Sequence, residues 1–146
     1  MKKANNLFKL VFPSRSSNEA FARTAVSAFV AQLDPTLDEL ADIKTAVSEA
    51  VTNCIVHAYK NTIGLIYITA RIYESNRIDI VVKDRGCGIK DIKKAMQPAY
   101  TTGAADERAG LGFSVMEAFM DKLTVRSQIF TGTSVYMSKT INKKTV

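Results

Sequence analysis

The chain has 146 residues, 47% of them hydrophobic, which is enough to bury one sizeable core and short for two, so a single domain over 1–146 is expected. No apolar run approaches the roughly 20 residues of a membrane span, and the start MKKANNLFKLVFPSRS lacks the apolar segment of a secretory leader. These features point to a cytoplasmic protein with no membrane partner.

The net charge of +6 would suit a nucleic-acid partner only if the basic residues formed a patch. Lys2, Lys3, Lys9, Lys139, Lys143 and Lys144 instead fall in terminal stretches without an acid, leaving 14 basic and 14 acidic side chains between residues 13 and 129. No helical pattern carries a basic face with interleaved aromatics. Solubilising basic tails at about 1–6 and 141–146 on a balanced body, with no direct nucleic-acid contact, follow from that distribution. The two cysteines, Cys54 and Cys87, have no CxxC spacing and His57 is the only histidine, so a zinc or iron–sulfur centre lacks ligands.

Residues 7–12 (LFKLVF) read as an edge strand closed by Pro13. Ser16, Ser17 and Asn18 offer N-caps for a helix to about Gln32, with Phe21, Ala25, Ala28 and Phe29 as its apolar stripe. Asp34 and Pro35 break it. A second helix opens on the capping box Thr36-x-x-Glu39 and runs to about His57, with Leu40, Ile43, Val47, Val51, Cys54 and Ala58 on one face. Residues 65–73 and 77–83 alternate at period two around Glu74-Ser75-Asn76 and predict a β-hairpin. A glycine-marked loop at 84–88, a short helix near 91–96, an irregular stretch from Pro98 to Ala109 and a helix from about Leu111 to Asp121 follow. Strands at 123–129 and 133–140, linked through Gly132, end the pattern. The order predicts an α+β fold: a two-layer sandwich in which helices cover one face of a mixed β-sheet.

Three short motifs carry chemistry. Glu49, Asn53 and His57 recur at four-residue spacing on the flank of the second helix away from its core stripe, so they face either water or a cleft. Asp84-Arg85-Gly86-Cys87-Gly88 follows a strand directly. Aspartate and glycine make ordinary turns, but two glycines spaced by one also admit a ligand close to the backbone, and a carboxylate accepts a hydrogen bond from an exocyclic amine. Gly110-Leu111-Gly112-Phe113 is predicted to begin a helix, where free N–H groups and the dipole favour phosphate, although a plain glycine turn reads the same. Neither GxxxxGK[ST] nor GxGxxG is present, which excludes P-loop and Rossmann phosphate loops.

In order and separation the three motifs resemble the ATP site shared by DNA gyrase, Hsp90, histidine kinases and MutL. That resemblance implies that Glu49-x-x-x-Asn53 is the N-box, that Asp84, Gly86 and Gly88 contact adenine, that 98–109 form an ATP lid with Thr101 and Thr102, and that Gly110, Leu111, Gly112 and Phe113 hold phosphate. Gly132-Thr133 resembles the late threonine motif of these proteins, and a β-turn reads the same.

Within the superfamily the chain most closely resembles the anti-sigma F factor family of spore-forming bacteria, through Asn18-Glu-Ala-Phe-Ala-Arg23, Ala28-Phe-Val-Ala-Gln-Leu-Asp-Pro35, Val47-Ser-Glu-Ala-Val-Thr-Asn53, Gln97-Pro98, Thr101-Thr102 and Val115-Met-Glu-x-Phe-Met-Asp121. Departures are Ala58 in place of a frequent glycine, Gly103 in place of a lid lysine, and Arg85 and Cys87 in the adenine loop; Arg108 is the candidate substitute for the lysine, although a solvated loop arginine reads the same. The resemblance implies ATP or ADP with Mg²⁺ held by Asn53, and Glu49 as the base activating a serine hydroxyl. It also implies a sporulation sigma factor and an anti-anti-sigma factor as partners, contacts through Arg23, and a homodimer. A histidine-kinase-type catalytic domain and a non-catalytic, ATP-dependent sigma-binding module are the rival expectations.

Overall fold

The computed structural model of the chain describes residues 3–97 and 107–142, with the backbone alone at 107–111. Strand β1 (Asn6–Pro13) leads into helix α1 (Asn18–Val30), a 3₁₀ turn (Ala31–Leu33) and helix α2 (Leu37–Asn53). Strands β2 (Leu65–Ile72) and β3 (Arg77–Asp84) follow, then short α3 (Ile92–Ala95), α4 (Glu107–Phe119), β4 (Lys122–Gln128) and β5 (Gly132–Thr140). The five strands form one sheet in the order β1-β2-β3-β5-β4.

The α+β sandwich is as expected, but the sheet is antiparallel at every pairing rather than mixed. The chain returns from α4 as a hairpin, and it is the second strand of that hairpin that lies against β3. β3 and β4 run in the same direction and are kept apart by β5. No parallel neighbours remain.

One face of the sheet carries Ile66, Ile68, Ile78, Ile80, Val82, Val135 and Met137, all buried, and the helices close over it. α2 contributes Ile43, Ala46, Val47, Ala50 and Val51, with Cys54 just beyond it; two alanines join the expected stripe, while Leu40 and Ala58 at its ends are only partly buried. α1 differs from expectation. Its buried row is Ala22, Val26 and Val30, an unbroken four-residue spacing, while Phe21 is 53% exposed and Phe29 meets Phe8 edge-on at 4.7 Å between ring centroids. Small residues let α1 and α2 approach; the large rings take the flanks. Nor does Ser17 cap α1 through its side chain: Asn18 Nδ2 instead donates to the Pro13 carbonyl at 2.9 Å.

The tails are shorter than the charge pattern suggests, because Asn6 already belongs to β1 and Ile141 is buried. Asn142 donates to Leu33 and Asp34 carbonyls, and Lys139 Nζ donates to the Phe119 carbonyl at 2.7 Å. Among the described residues, no helix is long and apolar enough to cross a membrane.

The start of α2 is fixed by the predicted capping box. Glu39 N–H donates to Thr36 Oγ1 at 3.1 Å and Thr36 N–H donates to Glu39 Oε1 at 2.9 Å, while Glu39 Oε2 accepts the Asn142 amide at 2.7 Å. Thr36→Ala is expected to lower unfolding free energy by about 1 kcal/mol, read as a lower urea midpoint at unchanged slope.

Candidate functional site

Burying the apolar stripe of α2 on the sheet turns Glu49, Asn53 and His57 toward the layer formed by α4, and all three are half-buried. Beyond Asn53 the helix widens into a π-turn over Cys54–Ala58, an irregularity that re-aims side chains and often marks functional sites. Opposite this row lies Gly112. A Cβ there would stand 3.1 Å from Glu49 Oε2 and 3.3 Å from Asn53 Nδ2, so the missing side chain is what gives the two polar groups room. Asn53 is the telling residue: both atoms of its amide are buried, and among the described residues neither has a hydrogen-bond partner. A native structure seldom leaves such a group unsatisfied unless something else binds it.

The second part of the site is built by Asp84, which ends β3 and is only 4% exposed. Its Oδ1 accepts the amides of Gly86 at 2.9 Å and Thr133 at 3.2 Å, and Oδ2 accepts the Cys54 thiol at 3.5 Å. Burial pushes its carboxyl above the ordinary aspartate value, with the Gly86, Cys54 and Thr133 contacts opposing the shift. Burial and the neighbouring carboxylate likewise push the Cys54 thiol well up, which keeps it neutral and unreactive.

The glycines of this loop serve chain-to-chain contact. A Cβ on Gly86 would collide with the Ala58 carbonyl, and one on Gly88, where φ is +79°, with the Gln128 carbonyl. Cys87 N–H donates to the Ala58 carbonyl at 3.1 Å, and the Cys87 carbonyl accepts the Phe130 amide at 2.8 Å, pinning the loop between the π-turn and the β4–β5 turn. Gly88 also lines the cavity described next, whereas Gly86 does not.

Between these parts lies a cavity of about 240 Å³. Cys54, Ile89, Ala95, Phe113 and Val135 give it apolar walls, while Asn53, His57, Asp84 and Thr133 supply polar groups. Of the sequence-predicted residues, Asn53, Asp84, Gly88, Phe113 and Thr133 thus line one cavity, with Glu49 and Gly112 in contact beside it. Gly86 stands against Ala58 instead. Arg23 does not line the cavity; it pairs on α1 with Glu19 at 3.9 Å. Thr101 and Thr102 lie outside the described residues, as do the side chains of Arg108 and Leu111.

One expectation is corrected. α4 begins at Glu107, so Gly110, Leu111, Gly112 and Phe113 occupy its first and second turns, and Gly112 and Phe113 lie beyond the four free N–H groups of a helix start. Gly112 acts here by its lack of a side chain and Phe113 by its ring in the wall, and not as open amides.

Two supports were invisible as motifs. Tyr59 hydroxyl accepts the Arg85 amide and donates to the Leu65 carbonyl, both at 2.6 Å, and so fixes where the Asp84 loop starts. Ser127 Oγ accepts the Ile89 amide at 2.7 Å and shares a hydrogen bond with Thr133 Oγ1 at 2.7 Å. Neither residue stands in a glycine motif or on the Glu49 row; both act across the chain, which only folding reveals.

Because the folded pKa of Asp84 lies above its ordinary value of 3.8, the unfolded chain ionises first, and folding stability falls as pH rises from 3.8 through the folded value. Asp84→Asn keeps an Oδ1 acceptor for both amides and is expected to fold without that pH-dependent loss. Asp84→Ala leaves two buried amides unpaired and is expected to cost about 1–3 kcal/mol for each. Urea unfolding across a pH series distinguishes the three proteins.

Comparison with known proteins places this geometry. Residues 12–139 match the family described as Histidine kinase-like ATPase domain. The chain is 60% identical over 139 residues to the anti-sigma F factor of Caldanaerobacter subterraneus subsp. tengcongensis, covering 95% of this chain and 96% of that protein. It is 51% identical over 138 residues to the anti-sigma F factor of Geobacillus kaustophilus, covering 94% of each. Among solved structures, the RsbU and RsbW domains of a Mycobacterium tuberculosis protein superpose with a TM-score of 0.69 at 17% identity, over 94% of this chain and 33% of that one. The histidine kinase domain of a blue-light activated kinase from Erythrobacter litoralis gives 0.56 at 17% identity, over 86% of this chain and 61% of that one. These structural likenesses carry the fold; the sequence relatives carry the family. The chain belongs to the anti-sigma F factor family, built on the histidine kinase-like ATPase domain.

Proposed function

We propose that this protein is a cytoplasmic anti-sigma factor that binds a sporulation sigma factor and, as an ATP-dependent serine kinase, phosphorylates an anti-anti-sigma factor. The single observation that carries the catalytic half is the Asn53 amide, buried at the cavity with both atoms unpartnered among the described residues, one four-residue step from Glu49. The partner half rests on family membership over nearly the whole chain.

Adenine fits the apolar walls, with its exocyclic amine donating to Asp84, the one buried carboxylate lining the cavity among the described residues. Thr133, held by Ser127, supplies a second polar group there. The orphaned oxygen of Asn53 fits Mg²⁺, a hard cation that takes few protein ligands and fills its shell with phosphate oxygens and water. Bound with ATP, that ion neutralises phosphate charge. Glu49 is the proposed base: it accepts the proton of the substrate serine as the hydroxyl oxygen attacks the γ-phosphorus, and the bond from that phosphorus to the bridging oxygen of ADP breaks. Proton acceptance of this kind asks for reach and orientation more than for a shifted pKa. The Gly112 face of α4 positions Glu49 and Asn53 side by side. In this reading Thr101, Thr102 and Arg108 are among the phosphate contacts, Arg23 meets the protein partners, and the working unit is a homodimer.

Glu49→Ala is expected to lower phosphoryl transfer by ~10²-fold or more with ATP affinity nearly unchanged. Asn53→Ala is expected to lose Mg²⁺-dependent ATP binding and transfer together. Nucleotide titration beside a transfer assay with an anti-anti-sigma protein checks both, and phosphoamino-acid analysis of the product separates serine from histidine chemistry. Full transfer by Glu49→Ala removes the base; ATP binding without transfer in the wild-type protein turns the reading into a pure binding module.

A further inference from the structure

The chain body is balanced in charge along the sequence but not in space. The strand registers align outward-pointing residues into rows across the sheet, such as Val11, Tyr67, Lys83, Ser134 and Arg126 from β1 to β4. Such a row crosses four strand spacings, roughly 19 Å. Six cations, Lys9, Arg71, Arg77, Lys83, Lys122 and Arg126, point from this face, and the strands put one acid there, Asp79. That acid is 5% exposed and spent internally: Arg77 Nε donates to it at 3.0 Å and Tyr136 hydroxyl at 2.6 Å. An approaching molecule therefore meets positive charge with no accessible carboxylate among the described strand residues.

Two shallow grooves of about 440 and 330 Å³ run along the β4 side and share Arg126 and Ser134 in their walls; Lys83 lines one and Tyr136 the other. At the β1 side the same face carries apolar groups in the open, with Leu7 48%, Val11 53% and Leu65 46% exposed. The cavity described above lies among the helices on the opposite side of the sheet; the smaller groove shares Asp84 and Thr133 with it, while the larger groove and the Leu7, Val11 and Leu65 edge share no lining residue with it.

We infer that the outward face of the sheet is a docking surface for an acidic protein partner, whose carboxylates meet Lys83 and Arg126 and whose apolar side chains cover Leu7, Val11 and Leu65. Charge complementarity selects the occupant. A second copy seated face to face would oppose like charges across the interface. Nucleic acid would gain nothing from the apolar edge and finds the rings engaged: the Arg85 guanidinium stands 5.1 Å over Tyr67, that of Arg77 stands 4.2 Å over Tyr73, and the Tyr136 hydroxyl is held by Asp79. An interface core with aromatic and arginine side chains and a charged rim is the composition of protein–protein surfaces.

The test uses the full chain and a labelled peptide alternating Glu and Leu, with an oligothymidylate of matched charge beside it. Two sheet-face variants, Lys83→Glu/Arg126→Glu and Lys9→Glu/Lys122→Glu, are compared with Lys44→Glu/Lys93→Glu, which makes the same change in net charge at exposed positions of the helical layer. Peptide binding by fluorescence anisotropy is expected to weaken about tenfold or more in both sheet-face variants and to stay within about twofold in the helical-layer variant. Equal losses in all three variants, no binding by the wild-type protein, tighter binding of the oligothymidylate, or a lighter sedimenting species for the sheet-face variants would each overturn the assignment. Melting midpoints confirm that the variants remain folded, and the two sheet-face pairs serve as replicates should one of them not.

Discussion

A carboxylate taken out of water organises this molecule. Asp84 at the end of β3 would be costly to bury alone, and the fold surrounds it with donors: the Gly86 amide that opens its own loop, the Thr133 amide from β5, and the Cys54 thiol from the end of α2. Satisfying one side chain in this way ties three separated parts of the chain to one point. The loop then has only one course, pressed against Ala58 and Gln128, and the cavity is the space left between that loop, the π-turn and α4. The raised pKa of Asp84 is the residue of an incomplete compensation, and it leaves an acceptor in an apolar pocket.

The same constraint explains what α2 does. Its core stripe is fixed by Ile43, Val47 and Val51 in the sheet, so Glu49 and Asn53 have no choice but to meet α4. Gly112 makes that meeting possible without filling it. The positions of the proposed base and metal ligand are thus set by helix packing, as a site of precise geometry requires.

Strand and helix positions were legible wherever one period dominated, as in the hairpin from Leu65 to Asp84 and in α2 with its capping box. Legibility failed where several residues could serve. α1 offered two apolar rows, and only packing against α2 chose Ala22, Val26 and Val30 over the phenylalanines. The antiparallel sheet could not be read because strand order depends on which half of the last hairpin reaches β3. In the site, Glu49, Asn53 and Asp84 were legible only through the order of three motifs and the resemblance that order carries, whereas Tyr59 and Ser127 act through single hydroxyls toward residues 26 and 38 positions away. Charge was misleading for the same reason: a balanced count in sequence is compatible with one sheet face whose charged residues are cations in all but one case.

The central claim is that the cavity reads adenine through Asp84. Direct binding of ATP and ITP to the full chain tests it, since ITP replaces the exocyclic amine with a carbonyl that would face the buried carboxylate oxygen to oxygen. The account predicts that ATP binds at least tenfold more tightly, about 1.4 kcal/mol or more. Equal affinity for the two nucleotides would contradict it.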